Sequence, residues 1–391
     1  MTKRKHIPYG RQDINNDDID SVIRVLKSDF LTQGPLVPLF ESGVAEYCDV
    51  TYATAVNSAT SALHIACLSL DVGPGDYVWT SPNTFVASSN CALYCGASVD
   101  FVDIDSQTYN MDPICLERKL EEASKKNLLP KVVIPVHQSG QSCEMEVIHS
   151  LGKKYGFKII EDASHAIGGS YKDLKVGSNS YSDISVFSFH PVKMITSGEG
   201  GMALTNDSAL DKKLKLFRSH GITSNKDDME SRDSDQLWNY QQLVLGFNYR
   251  MTDIQAALGL NQLKRIDDFV SKRREIANKY NYLLKNLPVI TPFQIDDAKS
   301  SYHLYLLKLD LNKIKKTHLQ IYNELRENGI LVNLHYIPVY LQPYYKNLGF
   351  KEGYCPESES YFKSILSIPI YTSLSDDDIN YVVETLTNII E

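Results

Sequence analysis

The chain has 391 residues, 43% of them apolar and 23% charged, the proportions of an ordinary globular protein long enough for two domains or one large domain with a smaller one attached. A net charge of −8 argues against a nucleic-acid partner, which needs a concentrated basic surface, and no run of eighteen or more apolar residues offers a membrane span. Seven cysteines, odd in number and without the paired spacing of zinc sites, point to buried free thiols, no metal and a cytoplasmic setting.

In chain order, Asn15 to Leu26 carries acidic and amide residues at its head and apolar positions at Ile19, Val22, Ile23 and Leu26, which predicts a capped amphipathic helix. Glu41 to Tyr47 reads as a further short helix. An alternating pattern follows. Strands are expected at Ala53–Val56, Asp76–Thr80, Ser98–Asp103, Lys131–Val136, Phe157–Asp162, Ile184–Phe189 and Gly201–Thr205, with helices from Asn57, over Val86–Cys95, around Ile114–Lys126 and over Cys143–Tyr155. Short apolar strands alternating with helices imply a parallel or mixed sheet covered on both faces.

The acid-rich stretch Thr223 to Asn239 is too irregular for a mere connection and is expected to be a mobile surface loop. One long helix is then predicted from the cap at Thr252 to the stop at Leu287-Pro288, joining a smaller α+β region. That region has strands at Tyr302–Leu309, Ile330–Asn333 and Leu366–Pro369 and helices at Thr317–Asn328 and Ser375–Glu391. The expected division is residues 1–250 for the N-terminal segment and large α/β domain, and 251–391 for the linking helix and small domain.

Chemistry is most legible around Lys193, in the polar loop past the strand that ends near Phe189. It is the only lysine between Lys175 and Lys212. With an ordinary pKa of about 10.4 an amine needs burial or a neighbouring cation to become nucleophilic; the alternative is an exposed loop lysine. Four further features bear on it. The turn Asn57-Ser-Ala-Thr60-Ser61 opens a helix, where free N–H groups and the Thr60 and Ser61 hydroxyls suit a phosphate, unless they only cap the helix. Asp162 ends a strand at the sheet edge where ligands of α/β folds bind, and can hold a pyridinium N–H or cap the next turn. Ser188, five residues before Lys193, reaches the same phosphate, and Phe85 offers an aromatic face. An amine for an imine, an acid for a ring nitrogen and donors for a phosphate are the parts a pyridoxal phosphate site requires.

The succession Asn57-Ser-Ala-Thr-Ser-Ala-Leu63, Glu161-Asp-Ala-Ser-His-Ala166, Ser188-Phe-His-Pro-Val-Lys193, Gly198-Glu-Gly-Gly201, Phe217-Arg-Ser-His-Gly-Ile222 and Asn248-Tyr-Arg-Met-Thr252 resembles the DegT/DnrJ/EryC/StrS family of sugar aminotransferases. The likeness runs from Leu31-Thr-Gln-Gly-Pro35 through Leu334-His-Tyr-Ile-Pro338. It implies the type I, aspartate-aminotransferase-like fold with pyridoxal 5′-phosphate in a Schiff base with Lys193. By the same resemblance Asp162 pairs with the pyridinium nitrogen, Ser188 and Thr60 hold the phosphate, His165 stands near the ring and Phe85 stacks on it. Asn248 reaches the phosphate from the neighbouring subunit of a homodimer. Ala59 replaces the glycine of the common Gly-Thr turn, and Met194 stands where some relatives have proline.

Ala59-Thr60, together with Ser164-His165 after Asp162 and Ser188-Phe-His190 before Pro191, resembles the subgroup that makes the amino-sugar precursor of pseudaminic acid. Glutamate is then the amino donor, and the acceptor is carbon 4 of a UDP-linked 4-keto-6-deoxy-N-acetylhexosamine. Tyr9, Thr32, His335 and Tyr336 lie in segments the family folds over the mouth of the site and are the candidate substrate residues. The rival readings are transfer to another nucleotide-linked keto sugar and a sugar dehydratase, a lyase whose relatives commonly replace the lysine by histidine.

Overall fold

The computed structural model describes residues 6–230, 236 and 238–391. Helix α1 (Asn16–Leu26) starts at a capping box: the Asn15 side chain takes the Asp18 N–H while the Asp18 carboxylate takes the Asn15 N–H. Helix α2 (Leu36–Cys48) begins five residues before the sequence suggests, because Pro35 supplies a helical N-cap. The two helices lead into seven strands: β1 (Tyr52–Val56), β2 (Tyr77–Thr80), β3 (Ser98–Phe101), β4 (Val132–Ile134), β5 (Lys158–Asp162), β6 (Ile184–Ser188) and β7 (Gly201–Thr205). Interleaved are α3 (Ala59–Ser69), α4 (Ala87–Tyr94), α5 (Pro113–Ser124), α6 (Met145–Tyr155) and α7 (Ser208–Arg218).

The seven strands form one sheet in the order β1-β7-β6-β5-β4-β2-β3. Strands β2 to β6 run parallel, and β7 is antiparallel to both neighbours, pairing Gly201 with Ser188 on one side and with Val56 on the other. The C-terminal ends of β1, β5 and β6 therefore meet the N-terminal end of β7 along one edge. Asp162, Ser188 and Gly201 are gathered there by register alone.

Strand side chains alternate between two covered faces, which is why the strands read as nearly continuous apolar runs. On β6, Ile184 and Val186 join Leu63, Ile65 and Leu214 beneath α3, α4 and α7, while Phe187 packs with Phe40 and Val44 of α2. A third cluster, with Trp79, Leu116, Leu120 and Ile148, fills the space under α5 and α6.

The single helix expected after Thr252 is two. Helix α8 (Asp253–Leu263) begins at a capping box on Thr252, and α9 (Ile266–Leu284) follows a break at Lys264–Arg265. Neither glycine nor proline marks that break. Its anchor is tertiary: the Arg265 guanidinium binds Asp13 at 3.1 Å and the fully buried Asp18 at 2.5 Å, and Asn261 and Gln262 donate to the same Asp18 carboxylate at 2.7 Å each. Beyond α9, β8 (Val289–Ile290), β9 (Tyr305–Leu309) and β10 (Ile365–Ile368) form an antiparallel sheet, packed with α9, α10 (His318–Glu327) and the C-terminal helix Asp376–Ile390 around Tyr280, Leu307, Ile321 and Leu386. Ile7 belongs to this cluster, because Ile7–Pro8 pairs parallel with Ile330–Leu331. That pairing carries Tyr9 to the mouth of the site.

Within the stretch Thr223–Asn239, residues 231–235 and 237 lie outside the described residues; at its head Ile222–Thr223 pairs with Gln241–Gln242. Among the described residues no helix is long and apolar enough to cross a membrane.

Candidate active site

Along the sheet edge, between it and the segment Asn333–Tyr336, lies a cavity of about 580 Å³. Lys193 lines it from the loop after β6, where its N–H donates to the carbonyl of His190 at 2.9 Å. Burial lowers the pKa of the amine to about 8, and the nearby Asp162 carboxylate opposes that shift without cancelling it. The amine has no hydrogen-bond acceptor among the described residues.

Asp162, at the end of β5, is 5% exposed and held at both oxygens. The Ser88 hydroxyl, from α4, donates to Oδ2 at 2.5 Å, and the Ser164 N–H donates to Oδ1 at 3.1 Å. The carboxylate thus faces the cavity with a fixed orientation and, among the described residues, without a cationic side chain paired to it. Ser88 is a functional neighbour that the sequence does not announce, since it sits inside a helix with no motif around it.

Helix α3 opens on the cavity. Ser58, rather than Asn57, is its N-cap, and Ser58 Oγ takes the Ser61 N–H at 3.1 Å. Ser61, a candidate phosphate donor in the sequence, is consumed by capping: its hydroxyl donates to Asn57 Oδ1 at 2.7 Å. The N–H groups of Ala59 and Thr60 have no acceptor within the helix, and the residues themselves line the cavity together with Ser188. These free donors at a helix N-terminus suit an anion such as a phosphate. Gly201 lets the strand end approach this turn. A Cβ there would stand 2.4 Å from Ala59 N and 2.5 Å from the Ser58 carbonyl carbon, both rigid backbone atoms. Gly201→Ala is therefore expected to cost about 1–3 kcal/mol and to weaken phosphate anchoring; thermal unfolding with and without added cofactor reads both effects.

One amine, one oriented carboxylate and a helix start with unused donors fit pyridoxal phosphate by their chemistry: the carboxylate for its ring nitrogen, the α3 start and Ser188 for its phosphate, and Lys193 for its aldehyde. The model of the DegT/DnrJ/EryC1/StrS aminotransferase family matches residues 12–387. A UDP-4-amino-4,6-dideoxy-N-acetyl-beta-L-altrosamine transaminase of Campylobacter jejuni is 40% identical over 387 residues, covering 98% of each chain. The Bacillus subtilis spore coat polysaccharide biosynthesis protein SpsC is 39% identical over 395 residues, covering 100% of this chain and 99% of its own. Among solved structures, Helicobacter pylori PseC, an aminotransferase involved in the biosynthesis of pseudoaminic acid, superposes with a TM-score of 0.90 at 32% identity, covering 99% of both chains.

The chain belongs to the DegT/DnrJ/EryC1/StrS aminotransferase family. Its fold is the aspartate-aminotransferase-like type I fold, and it is a pyridoxal phosphate-dependent sugar aminotransferase.

The remaining wall of this aminotransferase's site is aromatic. Phe85, 59% exposed, lies 6.5 Å from Tyr336 between ring centroids, and Tyr9 lies 5.0 Å from His335. Tyr336 and His165 stack at 6.3 Å, and the Tyr336 hydroxyl meets His165 Nε2 at 3.2 Å. His335 is fixed through Nδ1 by Ser367 at 2.7 Å, while its carbonyl accepts from Gln138 Nε2 at 3.2 Å and from the Tyr361 hydroxyl. His303, which no motif marks, lines the same cavity with its ring 4.4 Å from that of His165. Burial, reinforced by the Lys193 charge, pushes the pKa of His335 down to about 3. Burial likewise holds His165 and His303 well below the ordinary histidine value, so all three imidazoles are neutral near pH 7.

Two of the sequence-predicted residues stand apart from this cavity. Thr32 is exposed and forms a bridge with Thr252, and Asn248 is exposed and bridges Ser219. The other ten, Tyr9, Ala59, Thr60, Phe85, Asp162, His165, Ser188, Lys193, His335 and Tyr336, all line it.

The lowered Lys193 value has a kinetic consequence. Between pH 7 and 9 the unprotonated fraction of an amine with a pKa of about 8 rises roughly tenfold and then levels. The rate at which apoprotein develops the bound-cofactor absorbance is expected to follow that curve. An exposed lysine gives a rate still climbing at pH 10.

Proposed function

We propose that this enzyme transfers an amino group from glutamate to carbon 4 of a UDP-linked 4-keto-6-deoxy-N-acetylhexosamine, in a biosynthesis of the pseudaminic acid type. The observation that carries the proposal is the single low-pKa amine of Lys193 in one cavity with the doubly held carboxylate of Asp162 and the free donors of α3. The sugar class is supported by the name of the Campylobacter jejuni relative and by the aromatic mouth formed by Tyr9, Phe85, His335 and Tyr336.

Bound pyridoxal phosphate supplies an aldehyde that carries the amino group and a ring that accepts an electron pair from the substrate carbon. The protein does the rest. Asp162 keeps the ring nitrogen protonated, and the Ala59 and Thr60 N–H groups with the Thr60 and Ser188 hydroxyls hold the phosphate. Lys193, once displaced by the incoming amine, would be the base that takes the proton from the donor α-carbon and delivers it to the cofactor carbon that keeps the nitrogen, after which water releases the 2-oxo acid. In the second half-reaction it moves the proton at sugar carbon 4 in the opposite direction. The neutral histidines add polar edges to the wall without adding positive charge that would compete for Asp162.

The active form in this reading is a homodimer in the cytoplasm, with Asn248 reaching the phosphate of the partner subunit's site. Its support is that Asn248 lies outside its own cavity and follows an exposed apolar run, Leu243, Val244 and Leu245, the last of them 80% exposed. Incubating the holoenzyme with glutamate and the UDP-4-keto sugar tests the assignment. NMR should show a 4-amino sugar formed one-for-one with 2-oxoglutarate. Amination of only the GDP- or dTDP-linked sugars overturns the nucleotide assignment, and loss of water without amination overturns transfer in favour of a lyase.

A further inference from the structure

We propose that His303 is a positioning residue whose ring holds His165 in its place on the wall beside Lys193. The inference rests on the cavity being the cofactor site and not on which sugar enters it. His303 reaches this wall from a segment far along the chain, and the segment is fixed on three sides. The Ser301 N–H donates to the Gly140 carbonyl at 3.1 Å, and the Ser301 hydroxyl donates to the His165 carbonyl at 2.9 Å. A Cβ on Gly140, whose φ is +104°, would fall 2.4 Å from Ser301 Oγ, so the two turns are in direct contact. From α9, the buried Arg273 guanidinium donates to the carbonyls of Tyr302 at 3.2 Å, His303 at 3.1 Å and Ile370 at 2.9 Å.

The backbone of His303 is thereby anchored to α9 and to the segment after β10, while its ring lies at an angle of 43° to that of His165. The Tyr336 ring lies within 19° of parallel to it, with centroids 6.3 Å apart. His165 thus meets both rings. Its Nε2 is engaged by Tyr336, and Nδ1 has no partner; Nδ1 of His303 is unpartnered as well, with the residues 6% and 4% exposed. The His303 ring forms no hydrogen bond among the described residues, so its contribution is shape: a planar ring packed in close, tilted contact with a second one. Removing it is expected to open that space beside His165 to the cavity that both residues line.

The test compares His303→Ala with His303→Phe, which keeps a planar ring and discards both nitrogens. In ¹³C-histidine-labelled apoprotein, with the His165 resonance assigned through a His165→Gln variant, His165 should be silent across pH 5–8 in the native chain. It should begin to titrate near the ordinary value of about 6.5 in His303→Ala. In the same variant kcat of the holoenzyme should fall roughly tenfold with KM within about twofold, the pattern of lost positioning and not of lost binding. His303→Phe should restore both readings to the native ones. Should His303→Ala not accumulate as folded protein, His303→Ser, which likewise empties the space of the ring, takes its place with the same expectations. A silent His165 with unchanged kcat in the alanine variant overturns the proposal. So does a phenylalanine variant as impaired as alanine, which would assign the role to the imidazole nitrogens. The resonance is read without cofactor, so it remains decisive even if the cofactor is shown to sit elsewhere.

Discussion

Lys193→Ala is expected to abolish the visible absorbance of the bound cofactor and to lower turnover by roughly 10⁴-fold or more, because one side chain serves as both covalent anchor and proton carrier. The loop has no substitute: the neighbouring lysines in sequence are Lys175 and Lys212, and Lys212 is ion-paired with Asp228. His190, also on the cavity wall, is an imidazole and cannot form the same bond with an aldehyde. Lys193→Arg is the informative partner variant. It keeps the positive charge but cannot deprotonate near neutral pH, so it should be as inactive as alanine if the free amine is what matters. Folding should survive in both, since the amine makes no hydrogen bond whose loss would be felt. Absorbance spectra and the amount of 2-oxoglutarate formed per enzyme read the two losses separately.

Asp162→Asn is the second large effect. Asparagine has nearly the same shape: its Oδ1 can still accept from the Ser164 N–H and its Nδ2 can donate to the Ser88 hydroxyl, so the local structure around β5 should persist. What disappears is the negative charge that keeps a ring nitrogen protonated, and with it the drive to accept an electron pair. A loss of roughly 10³-fold in kcat is expected, comparable to removing a preorganised charge-stabilising group from other enzyme sites, with the phosphate contacts of α3 still retaining the cofactor. Rates within about tenfold of the native enzyme would remove Asp162 from the role assigned to it. Ser88→Ala should fall between the two, because it frees the carboxylate to rotate without removing its charge.

The parts of this site that were readable in the sequence share a physical cause. Lys193, Asp162, Ser188 and the α3 start all sit where a strand ends, and strand ends are legible because an apolar run stops at a polar residue. The same logic explains the sheet, whose strands were recoverable from covered apolar runs such as Ile184–Ser188. Contacts created by tertiary pairing were not readable. His303 meets the site because Arg273 of α9 holds its backbone carbonyl, and Ser88 because α4 carries it there; no local pattern distinguishes either from an ordinary polar residue.

The division of α8 from α9 is of the same kind: the anchor of Arg265 is Asp18, about 250 residues earlier in the chain, and nothing at Lys264–Arg265 itself breaks a helix. Helix α7 has no counterpart among the elements expected from the sequence, although Asp207 caps it by accepting from the Ala209 and Leu210 N–H groups. Its charged outer face, Lys212, Lys213 and Lys215, dilutes the apolar pattern to Leu214 and its partly buried neighbours. Ser61 shows the converse error. A hydroxyl at a helix start looked available for a ligand and was instead spent on the cap.

The point of attachment of the cofactor decides the assignment of Lys193, and borohydride reduction of the purified holoenzyme followed by peptide mass spectrometry measures it directly. Reduction makes the bond permanent, and the account predicts a single phosphopyridoxyl-modified peptide carrying the label on Lys193, in stoichiometric yield and absent after prior release of the cofactor. Label on any other lysine, or cofactor removed intact without a labelled peptide, would contradict it.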